Sequence, residues 1–358
     1  MTLTHITLHR LRVPLRVPYK LSLGEIKAFD TLLVEAHAGD ERVGLGEATV
    51  LRGYTHETID RAWTLAGKLS ETVVGRPLEA AKNIVAAHTK DAPFTVTALT
   101  TAIEMLEENP YLQLERTQRV PLLALVHGTR EGELALELDH LFAQGYRTLK
   151  VKIGFDADAD LERVRLIQRL GGGRASLRLD ANQAYDAETA CRFAAALDPK
   201  DIELLEQTCA AGDWQAARAV AQVSTVPLML DESIYSLDDV DKAAELGAAH
   251  YIKYKLMKAG SLAGLAEALA HIRSRGMQPV LGNGVACDVG CWMEACIAAT
   301  QIDNAGEMNG FLKTRDSLLQ QPLTVQNDAI RLEPGFAPQL NPAALARYRE
   351  AIANFPIP

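Results

Sequence analysis

The sequence predicts an α/β fold in which a modified (β/α)8 barrel of the TIM type carries an α+β capping domain. Three observations lead to this fold class. Short apolar segments alternate with amphipathic helical segments between about residues 122 and 307, which is typical of repeated βα units. The first 60 residues lack this alternation and have the pattern of strands joined by a hairpin. Charged residues end several of the apolar segments, as they do at the catalytic rim of a barrel.

Composition and charge limit the classes of partner. The chain has 358 residues, a net charge of -9 at pH 7 and 48% hydrophobic residues, as expected for a globular protein. The negative charge argues against nucleic acid or a membrane surface as partner, and no apolar run reaches the length of a membrane span. The five cysteines are an odd number spread over a long chain, and the start has no signal-peptide pattern, so we expect a cytoplasmic protein.

The change of pattern along the chain predicts three parts. Alternating residues and a second apolar strand that ends at the turn Gly39-Asp40 predict a β-rich start. Helical spacing of apolar residues follows and ends at Asn109-Pro110. A loop-rich segment after the last barrel strand is expected to return to the first domain. The predicted parts are a capping domain at 1–117, a barrel at 118–320 and a C-terminal segment at 321–358.

Eight strands and a set of helices are predicted for the barrel. The strand candidates are 122–126, 149–153, 177–180, 202–206, 228–231, 251–255, 279–281 and 304–307. Helical candidates between them include 161–170, 189–197, 214–223, 262–275 and 290–300. Eight units favour a closed barrel, with its last helix reduced, over an open doubly wound sheet.

Two lysines lie two residues apart in the second predicted strand of the barrel. In a strand this spacing points the ammonium groups of Lys150 and Lys152 to the same side. The alternative is a solvated strand face. Lysine is rarely buried without a partner, so a strand covered by helices needs a reason to carry two. We therefore interpret both as site residues at the carboxyl end of the strand.

Acidic residues end the next three predicted strands. Asp180, Glu206 and Asp231 follow one another at intervals of about one βα unit, so we expect them on one rim. Two carboxylates about 4 Å apart repel by roughly 4 kcal/mol at an effective dielectric constant of about 20, and a divalent cation removes this repulsion. Oxygen ligands without His or Cys favour Mg²⁺, with Mn²⁺ tolerated, over Zn²⁺. For any one of them alone, a helix cap or a loop charge is the alternative.

In these motifs the chain resembles the enolase superfamily and, within it, the muconate-lactonising-enzyme subgroup. The resemblance covers nearly the whole length of the chain. Its motifs are Lys150-Val151-Lys152, Asp180-Ala181-Asn182, Glu206-Gln207, Asp231-Glu232-Ser233 and Lys255-Leu256-Met257-Lys258-Ala259-Gly260. Lys255 stands where the mandelate-racemase branch uses histidine, which argues against that branch. Gly260-Ser261 departs from the Gly-Gly that relatives often carry there.

The resemblance implies a Mg²⁺-dependent isomerase that acts next to a substrate carboxylate through an enediolate. The three carboxylates would bind the metal, and Lys150 would stabilise the oxyanion. Lys152 and Lys255 would face each other across the substrate as proton carriers. The reaction is then a cycloisomerisation, or a racemisation or epimerisation. The alternatives are a lyase such as a syn-dehydratase like succinylbenzoate synthase, an amino-acid or dipeptide epimerase, and a non-catalytic barrel that binds an acid.

Substrate contacts are expected from capping-domain loops and from the eighth strand. Relatives that epimerise dipeptides carry Asp-x-Asp on that strand, whereas this chain has Glu307-Met308-Asn309, and cycloisomerases carry glutamate there. The motif favours cycloisomerase-like chemistry and leaves a cationic amine substrate open. We expect a small carboxylate as the partner and a homo-oligomer as the assembly. The candidate substrate contacts are Lys20, Tyr54, His127, Asn182, Glu307 and Asn309.

Two further features are interpreted as structural. Cys287, Cys291 and Cys296 fall at helical spacings, which predicts packing rather than a metal site. The run Gly171-Gly172-Gly173 has no helix directly after it, so it predicts a loop rather than a phosphate cradle.

Overall fold

The computed structural model describes residues 1–21, 24–39 and 42–357, so the predicted turn residue Asp40 lies outside the described residues. The N-terminal part is an antiparallel sheet with helices packed on one face. Its buried apolar side chains, which include Leu8, Leu32 and Leu99, form a core of their own. The elements of this part are β1 (Leu3–Leu21), β2 (Gly24–Ala38), β3 (Val43–Thr49), α1 (Ile59–Val73), α2 (Leu78–Ala86) and α3 (Pro93–Leu106).

Seven parallel strands follow, and they form one curled sheet in chain order with the helices outside. This arrangement confirms the predicted fold class. Strand β4 (Gln118–Pro121) precedes the barrel, and the seven parallel strands are β5 (Ala124–Val126), β6 (Thr148–Lys152), β7 (Ser176–Asp180), β8 (Ile202–Glu206), β9 (Leu228–Leu230), β10 (Tyr251–Tyr254) and β11 (Gln278–Leu281). The helices are α4 (Glu131–Ala143), α5 (Ala157–Gly171), α6 (Ala187–Ala196), α7 (Trp214–Val223), α8 (Leu237–Leu246), α9 (Leu256–Ala259), α10 (Leu262–Ser274) and α11 (Asp288–Gln301).

The eighth predicted strand, 304–307, is an irregular segment rather than a strand. The Gly306 carbonyl accepts a hydrogen bond from the N–H of the residue before β5 (3.0 Å), and the Glu307 N–H donates to the Leu281 carbonyl (3.0 Å). These bonds join the segment to both edges of the sheet and close the barrel. No longer ladder forms with β11 because Gly282 follows it with a φ of +130°, which ends the extended conformation.

The C-terminal part runs from the barrel back to the first sheet. A short antiparallel sheet forms from β12 (Thr324–Gln326), β13 (Ala329–Leu332) and β4. After α12 (Pro342–Tyr348), strand β14 (Arg349–Pro356) pairs antiparallel with β1 and becomes the edge of the N-terminal sheet. Both ends of the chain therefore belong to the same sheet.

Side-chain caps set where several barrel helices begin. Asp156 accepts a hydrogen bond from the Ala159 N–H (2.9 Å), so α5 begins earlier than the apolar spacing alone predicts. Asp213 caps α7 in the same way, at 2.9 Å from the Ala216 N–H. At the other end of α5, Gly172 takes a left-handed φ of 57° and ends the helix.

Inside the barrel an apolar layer lies below a charged one. Leu204, Met229 and Val280 form a separate buried cluster. Two residues after Leu204 and Met229, at the carboxyl ends of β8 and β9, come Glu206 and Asp231 on the same inner face. The apolar layer therefore seals the barrel beneath the charged rim. Among the described residues, no helix has both the length and the apolar character needed to cross a membrane.

Candidate active site

The residues predicted for catalysis and metal binding all lie where a barrel strand ends. Parallel strands bring these ends to one rim. The positions are Lys150 and Lys152 in β6, Asp180 as the last residue of β7, Glu206 as the last residue of β8, Asp231 directly after β9 and Lys255 directly after β10.

Lys150 is buried among three carboxylates. Its Nζ lies 2.8 Å from Asp180 Oδ2, 2.8 Å from Glu206 Oε2 and 3.0 Å from Glu307 Oε2. Burial lowers the pKa of Lys150, but the attraction of the three carboxylates is stronger in sum and raises this pKa well above its usual value. Lys150 therefore carries a fixed positive charge at the wall of the cavity, which it lines.

Lys152 lies on the same strand but reaches the cavity, where 24% of its side chain is exposed. Its Nζ donates to Asp180 Oδ2 at 2.6 Å and to Asn182 Oδ1 at 2.5 Å. The Asn182 side chain also donates to Glu232 Oε1 (3.0 Å), and its backbone has a left-handed φ of 43°. Such a strained backbone is common where a side chain must be held in one direction. Asn182 therefore orients Lys152.

Lys255 lies across the barrel from Lys152, four strands away, and it contacts the N-terminal part of the chain. Its Nζ lies 2.8 Å from Asp231 Oδ2 and donates to Tyr54 Oη at 2.7 Å. The Tyr54 hydroxyl in turn donates to Asp231 Oδ1 (3.2 Å). Burial lowers the pKa of Lys255, but the nearby carboxylates, Asp231 first, raise it above its usual range. Lys255 is therefore protonated in this arrangement.

A further buried lysine, Lys253, was not predicted as a site residue. Its Nζ lies 3.2 Å from Glu206 Oε1 and 3.9 Å from Asp231 Oδ2, and it donates a hydrogen bond to Glu307 Oε2. The sequence nevertheless contains a pattern that marks this lysine as a site residue. Lys253-Tyr254-Lys255 repeats the spacing of the two lysines in β6, and that spacing on a strand points both side chains inward.

Three more residues next to Asp231 were not assigned a role from the sequence. Lys258 Nζ donates to Asp231 Oδ1 (3.0 Å), and burial lowers its pKa to about 8 although Asp231 opposes this shift. Burial, and next the charge of Asp231, raise the pKa of Glu232 to about 7. Gln207 Oε1 accepts the Asp231 N–H at 3.0 Å. All three stand in the motifs that carry the resemblance, but the sequence alone did not assign them contacts with Asp231.

The remaining predicted substrate contacts lie in different surroundings. Glu307 is buried beside two lysines; burial raises its pKa, but Lys150 and Lys253 lower it well below the usual range. Asn309 is also buried, and its Nδ2 donates to a backbone carbonyl (3.3 Å). His127 is exposed at the end of β5 and is not among the residues that line the cavity. The side chain of Lys20 lies outside the described residues.

One cavity lies over the rim, with a volume of about 650 Å³ including its opening to solvent. Charged residues of the barrel line one side of it. Residues of the N-terminal part and of the β11–α11 connection line the other, so both parts of the chain build the cavity. Its less polar lining consists of Tyr19, Leu51, Tyr54, Phe94, Met257 and Val285.

The donor set fits a hard divalent cation. Asp180, Glu206 and Asp231 supply only carboxylate oxygens, and Glu206 Oε2 is buried without a hydrogen bond, although Lys150 Nζ lies 2.8 Å away. Within the described ranges, no three His, Cys, Asp or Glu side chains converge closely enough to hold a metal ion as they stand. The ammonium groups of Lys150 and Lys253 lie between the carboxylates instead.

Comparison with known proteins gives consistent matches over most of the chain. The sequence profile of the enolase C-terminal domain-like family matches residues 133–344. The chain is 30% identical to the L-Lys-D/L-Arg epimerase of Methylococcus capsulatus over 284 residues, which is 74% of this chain and 77% of the epimerase. It is 26% identical to the chloromuconate cycloisomerase of Cupriavidus pinatubonensis over 359 residues, which is 95% of this chain and 96% of that enzyme.

Solved structures share the fold over nearly the full length. The crystal structure of a dipeptide epimerase from Cytophaga hutchinsonii, complexed with Mg and the dipeptide D-Ala-L-Val, aligns with a TM-score of 0.88. The alignment covers 99% of this chain and 100% of that chain at 19% sequence identity. At this identity the likeness establishes the fold.

Proposed function

Because the chain belongs to the enolase C-terminal domain-like family, within the enolase superfamily and its muconate-lactonising-enzyme-like subgroup, we propose that it is a Mg²⁺-dependent isomerase. Its relatives are an epimerase and a cycloisomerase, which supports the isomerase class. The proposed reaction removes and returns a proton on the carbon next to a carboxylate of a small substrate. The observation that carries the proposal is that Lys152 and Lys255 line one cavity from strands four apart in the barrel.

Asp180, Glu206 and Asp231 are the residues that would hold the ion, with Mn²⁺ as a possible substitute. When bound, Mg²⁺ supplies positive charge that makes the neighbouring C–H of a substrate carboxylate more acidic. The Mg in the related dipeptide epimerase complex supports this choice of metal.

The lysines of the site have separate tasks in the proposed reaction. Lys150 remains charged and stabilises the negative charge that develops on the substrate carboxylate. Lys255 is protonated beside Asp231, so it is ready to give a proton to the substrate. Lys152, on the other side of the cavity, is the partner that accepts the proton when it is neutral. Residues of the N-terminal part cover the cavity and exclude water from these steps.

The choice between one-face and two-face chemistry is tested with the two lysines. In a racemase or epimerase, Lys152→Ala and Lys255→Ala should each stop turnover but retain α-proton exchange with one substrate enantiomer apiece. In a cycloisomerase or a syn-dehydratase, only one variant should lose exchange, and it should do so for every substrate. Solvent deuterium exchange followed by proton NMR measures both, and loss of water identifies the lyase alternative. Glu307, on the irregular segment 304–307 that takes the place of the eighth strand, favours the cycloisomerase-like reaction.

The metal assignment is tested by replacing one carboxylate without changing its shape. Glu206→Gln should lower the affinity for Mg²⁺ at least about a hundredfold, because a charged ligand is lost from a buried site. Calorimetry with Mg²⁺ and electron paramagnetic resonance with Mn²⁺ measure this loss without relying on activity. Glu162→Gln changes an exposed glutamate of α5 and serves as the matched control. Unchanged affinity in Glu206→Gln would contradict the assignment.

A cytoplasmic location belongs to the same proposal. All five cysteines are free thiols: Cys191, Cys209, Cys287, Cys291 and Cys296. Free thiols persist in a reducing compartment, which supports this location.

A further inference from the structure

Glu294 of α11 is a buried carboxylate to which the proposed reaction assigns no role. Its Oε1 accepts a hydrogen bond from the Leu256 N–H (2.9 Å), and its Oε2 accepts one from the Asn283 N–H (3.1 Å). Leu256 directly follows Lys255 at the end of β10, and Asn283 comes shortly after the end of β11. One side chain therefore joins the two chain segments that leave neighbouring strands of the barrel.

Both of these segments line the cavity over the rim. Lys255 belongs to the first segment, and Asn283, Gly284 and Val285 belong to the second. Within the second segment, Asn283 Oδ1 accepts the Val285 N–H (2.9 Å), which fixes the turn there. Glu294 itself lies outside the set of described residues that line the cavity. It therefore holds this part of the cavity wall from behind.

The backbone at Lys255 needs an acceptor from elsewhere in the chain. Lys255 is extended (φ -133°, ψ 147°) and stands at the start of α9, where a side-chain oxygen commonly binds the first backbone N–H groups of a helix. A lysine ammonium can only donate, and this one is directed at Tyr54 and Asp231. Glu294 supplies the missing acceptor to Leu256, in a hydrogen bond that the carboxylate charge strengthens.

We propose that Glu294 is a positioning residue of the proposed reaction and that it acts through Lys255. By binding the N–H that follows Lys255, it fixes the point from which this side chain reaches the substrate. A displacement of about 1 Å at a reacting group can lower a rate about a hundredfold. Lys152 is held by other partners, since its Nζ donates to Asn182 and its carbonyl accepts from Arg163 (2.8 Å). The inference rests on the proposed function, because it requires that Lys255 carries a proton.

Glu294→Gln tests this role, because it replaces one of the two acceptor oxygens by a donor without changing the size of the side chain. Exchange of the α-proton in deuterium oxide is measured with Mg²⁺ at pH 8. Burial raises the pKa of Glu294 to about 7, so at pH 8 it is ionised. The probes are 2-phenylpropionate, N-acetylleucine and L-alanylleucine, each in both configurations at the carbon that exchanges.

The two lysine variants separate the two sides of the cavity. The exchange that survives in Lys152→Ala is carried by Lys255, and adding Glu294→Gln should lower it at least about tenfold. The exchange that survives in Lys255→Ala is carried by Lys152, and adding Glu294→Gln should leave it unchanged. A merely structural role of Glu294 would lower both.

Glu104→Gln is the matched control. Glu104 is also buried and accepts two backbone N–H groups, those of Leu262 (2.6 Å) and Ala263 (3.0 Å). Its replacement should leave the exchange unchanged in both lysine variants. Circular dichroism shows whether each variant is folded. If Glu294→Gln does not fold, Glu294→Asp takes its place, since it keeps the charge but moves the oxygens, and the same one-sided loss is expected.

An equal fall in both lysine variants, or no fall in Lys152→Ala, overturns the inference and leaves the proposed function standing. The same conclusion follows if Lys152→Ala abolishes all exchange, because Lys255 then carries no proton. If Lys255→Ala abolishes all exchange instead, the fall in Lys152→Ala relative to the Glu104→Gln control decides. If neither these probes nor any other carboxylic acid shows Mg²⁺-dependent exchange with the natural protein, the proposed function falls, and the inference falls with it.

Discussion

Tyr54 connects the N-terminal part of the chain to a proposed proton carrier. Its hydroxyl accepts a hydrogen bond from Lys255 Nζ (2.7 Å) and donates one to Asp231 Oδ1 (3.2 Å). The Tyr235 hydroxyl donates a hydrogen bond to the backbone carbonyl of Tyr54 (2.9 Å) and so holds the loop that carries Tyr54. Tyr54 is therefore a positioning residue, because it acts on the reaction through Lys255.

Tyr54→Phe keeps the ring and removes both hydroxyl contacts. We expect kcat for α-proton exchange to fall about tenfold, with a smaller change in KM. The tenfold loss corresponds to a rise of about 1.4 kcal/mol in the activation free energy. Tyr235→Phe is the control, because it removes only the bond to the backbone of Tyr54. Steady-state exchange kinetics separate kcat from KM, and an unchanged kcat in Tyr54→Phe would disprove the positioning role.

A second residue-scale prediction concerns pH and the buried carboxyl of Glu47. Burial raises its pKa to about 7 from an ordinary value of 4.5, although backbone N–H groups at the start of α11 oppose the shift. The folded state therefore holds the proton more tightly than the unfolded chain. Its contribution to stability is complete below about pH 4.5 and is lost as the pH rises through about 7.

Glu47→Gln stays neutral at every pH and removes this dependence. At each pH the free energy of unfolding of the variant is subtracted from that of the natural protein. We expect this difference to fall by up to about 3 kcal/mol between pH 4.5 and pH 8. Urea titrations at several pH values measure the difference, with Glu162→Gln as the exposed control. A difference that stays constant with pH would refute the raised pKa.

At the scale of elements, the closure of the barrel depends on one glycine after β11. Gly282 has a φ of +130°, and a Cβ atom there would lie 2.5 Å from the Glu307 nitrogen. A side chain is therefore strained in conformation and also meets the backbone of the eighth segment. Since that segment carries Glu307, its placement affects the charged rim as well.

Gly282→Ala should lower the free energy of unfolding by about 2 kcal/mol or more and reduce α-proton exchange. Gly212→Ala is the matched control, because a Cβ atom at Gly212 would have no neighbouring atom within 4 Å and the backbone there has no left-handed φ. Chemical denaturation compares the two. Equal stability of Gly282→Ala and Gly212→Ala would mean that the eighth segment adapts without strain.

At the scale of the whole molecule, acidic residues of the N-terminal part cap two helices of the barrel. Glu47 of β3 accepts the N–H of Cys287 (2.6 Å) and of Val289 (2.9 Å) at the start of α11. Glu104 of α3 accepts the N–H of Leu262 (2.6 Å) at the start of α10. Each carboxylate lies at the positive end of a helix dipole, so these bonds hold the two parts together over the cavity.

Glu104→Ala leaves buried N–H groups at the start of α10 without a partner. We expect a loss of about 2 kcal/mol in the free energy of unfolding, since charge-assisted hydrogen bonds are removed. Glu71→Ala alters an exposed glutamate of α1 and should have no measurable effect. Unfolding followed by circular dichroism decides between them, and equal stability of both variants would contradict the capping role.

The predicted domain boundaries at residues 117 and 320 stay predictions, and so does the predicted homo-oligomer.

The sequence by itself determined the fold class and which strand ends carry lysines and carboxylates. Both follow from short-range periodicity. Alternation in strands directs Lys150 and Lys152 to one side, and the length of a βα unit brings Asp180, Glu206 and Asp231 to the same rim. The membership of the enolase superfamily, predicted from these motifs, is confirmed by the family match.

Only the tertiary structure decided which charges meet. Lys150 and Glu307 are 157 positions apart in the chain, and Lys255 and Tyr54 are 201 apart, so no local pattern pairs them. The same holds for Lys253. Its spacing from the next lysine is visible in the sequence, but the carboxylates that it contacts are not. The irregular eighth segment also depends on the backbone approach at Gly282. Coulomb energy and steric contact depend on distance in space, and for these residues that distance is set by how the barrel closes and how the N-terminal part covers it.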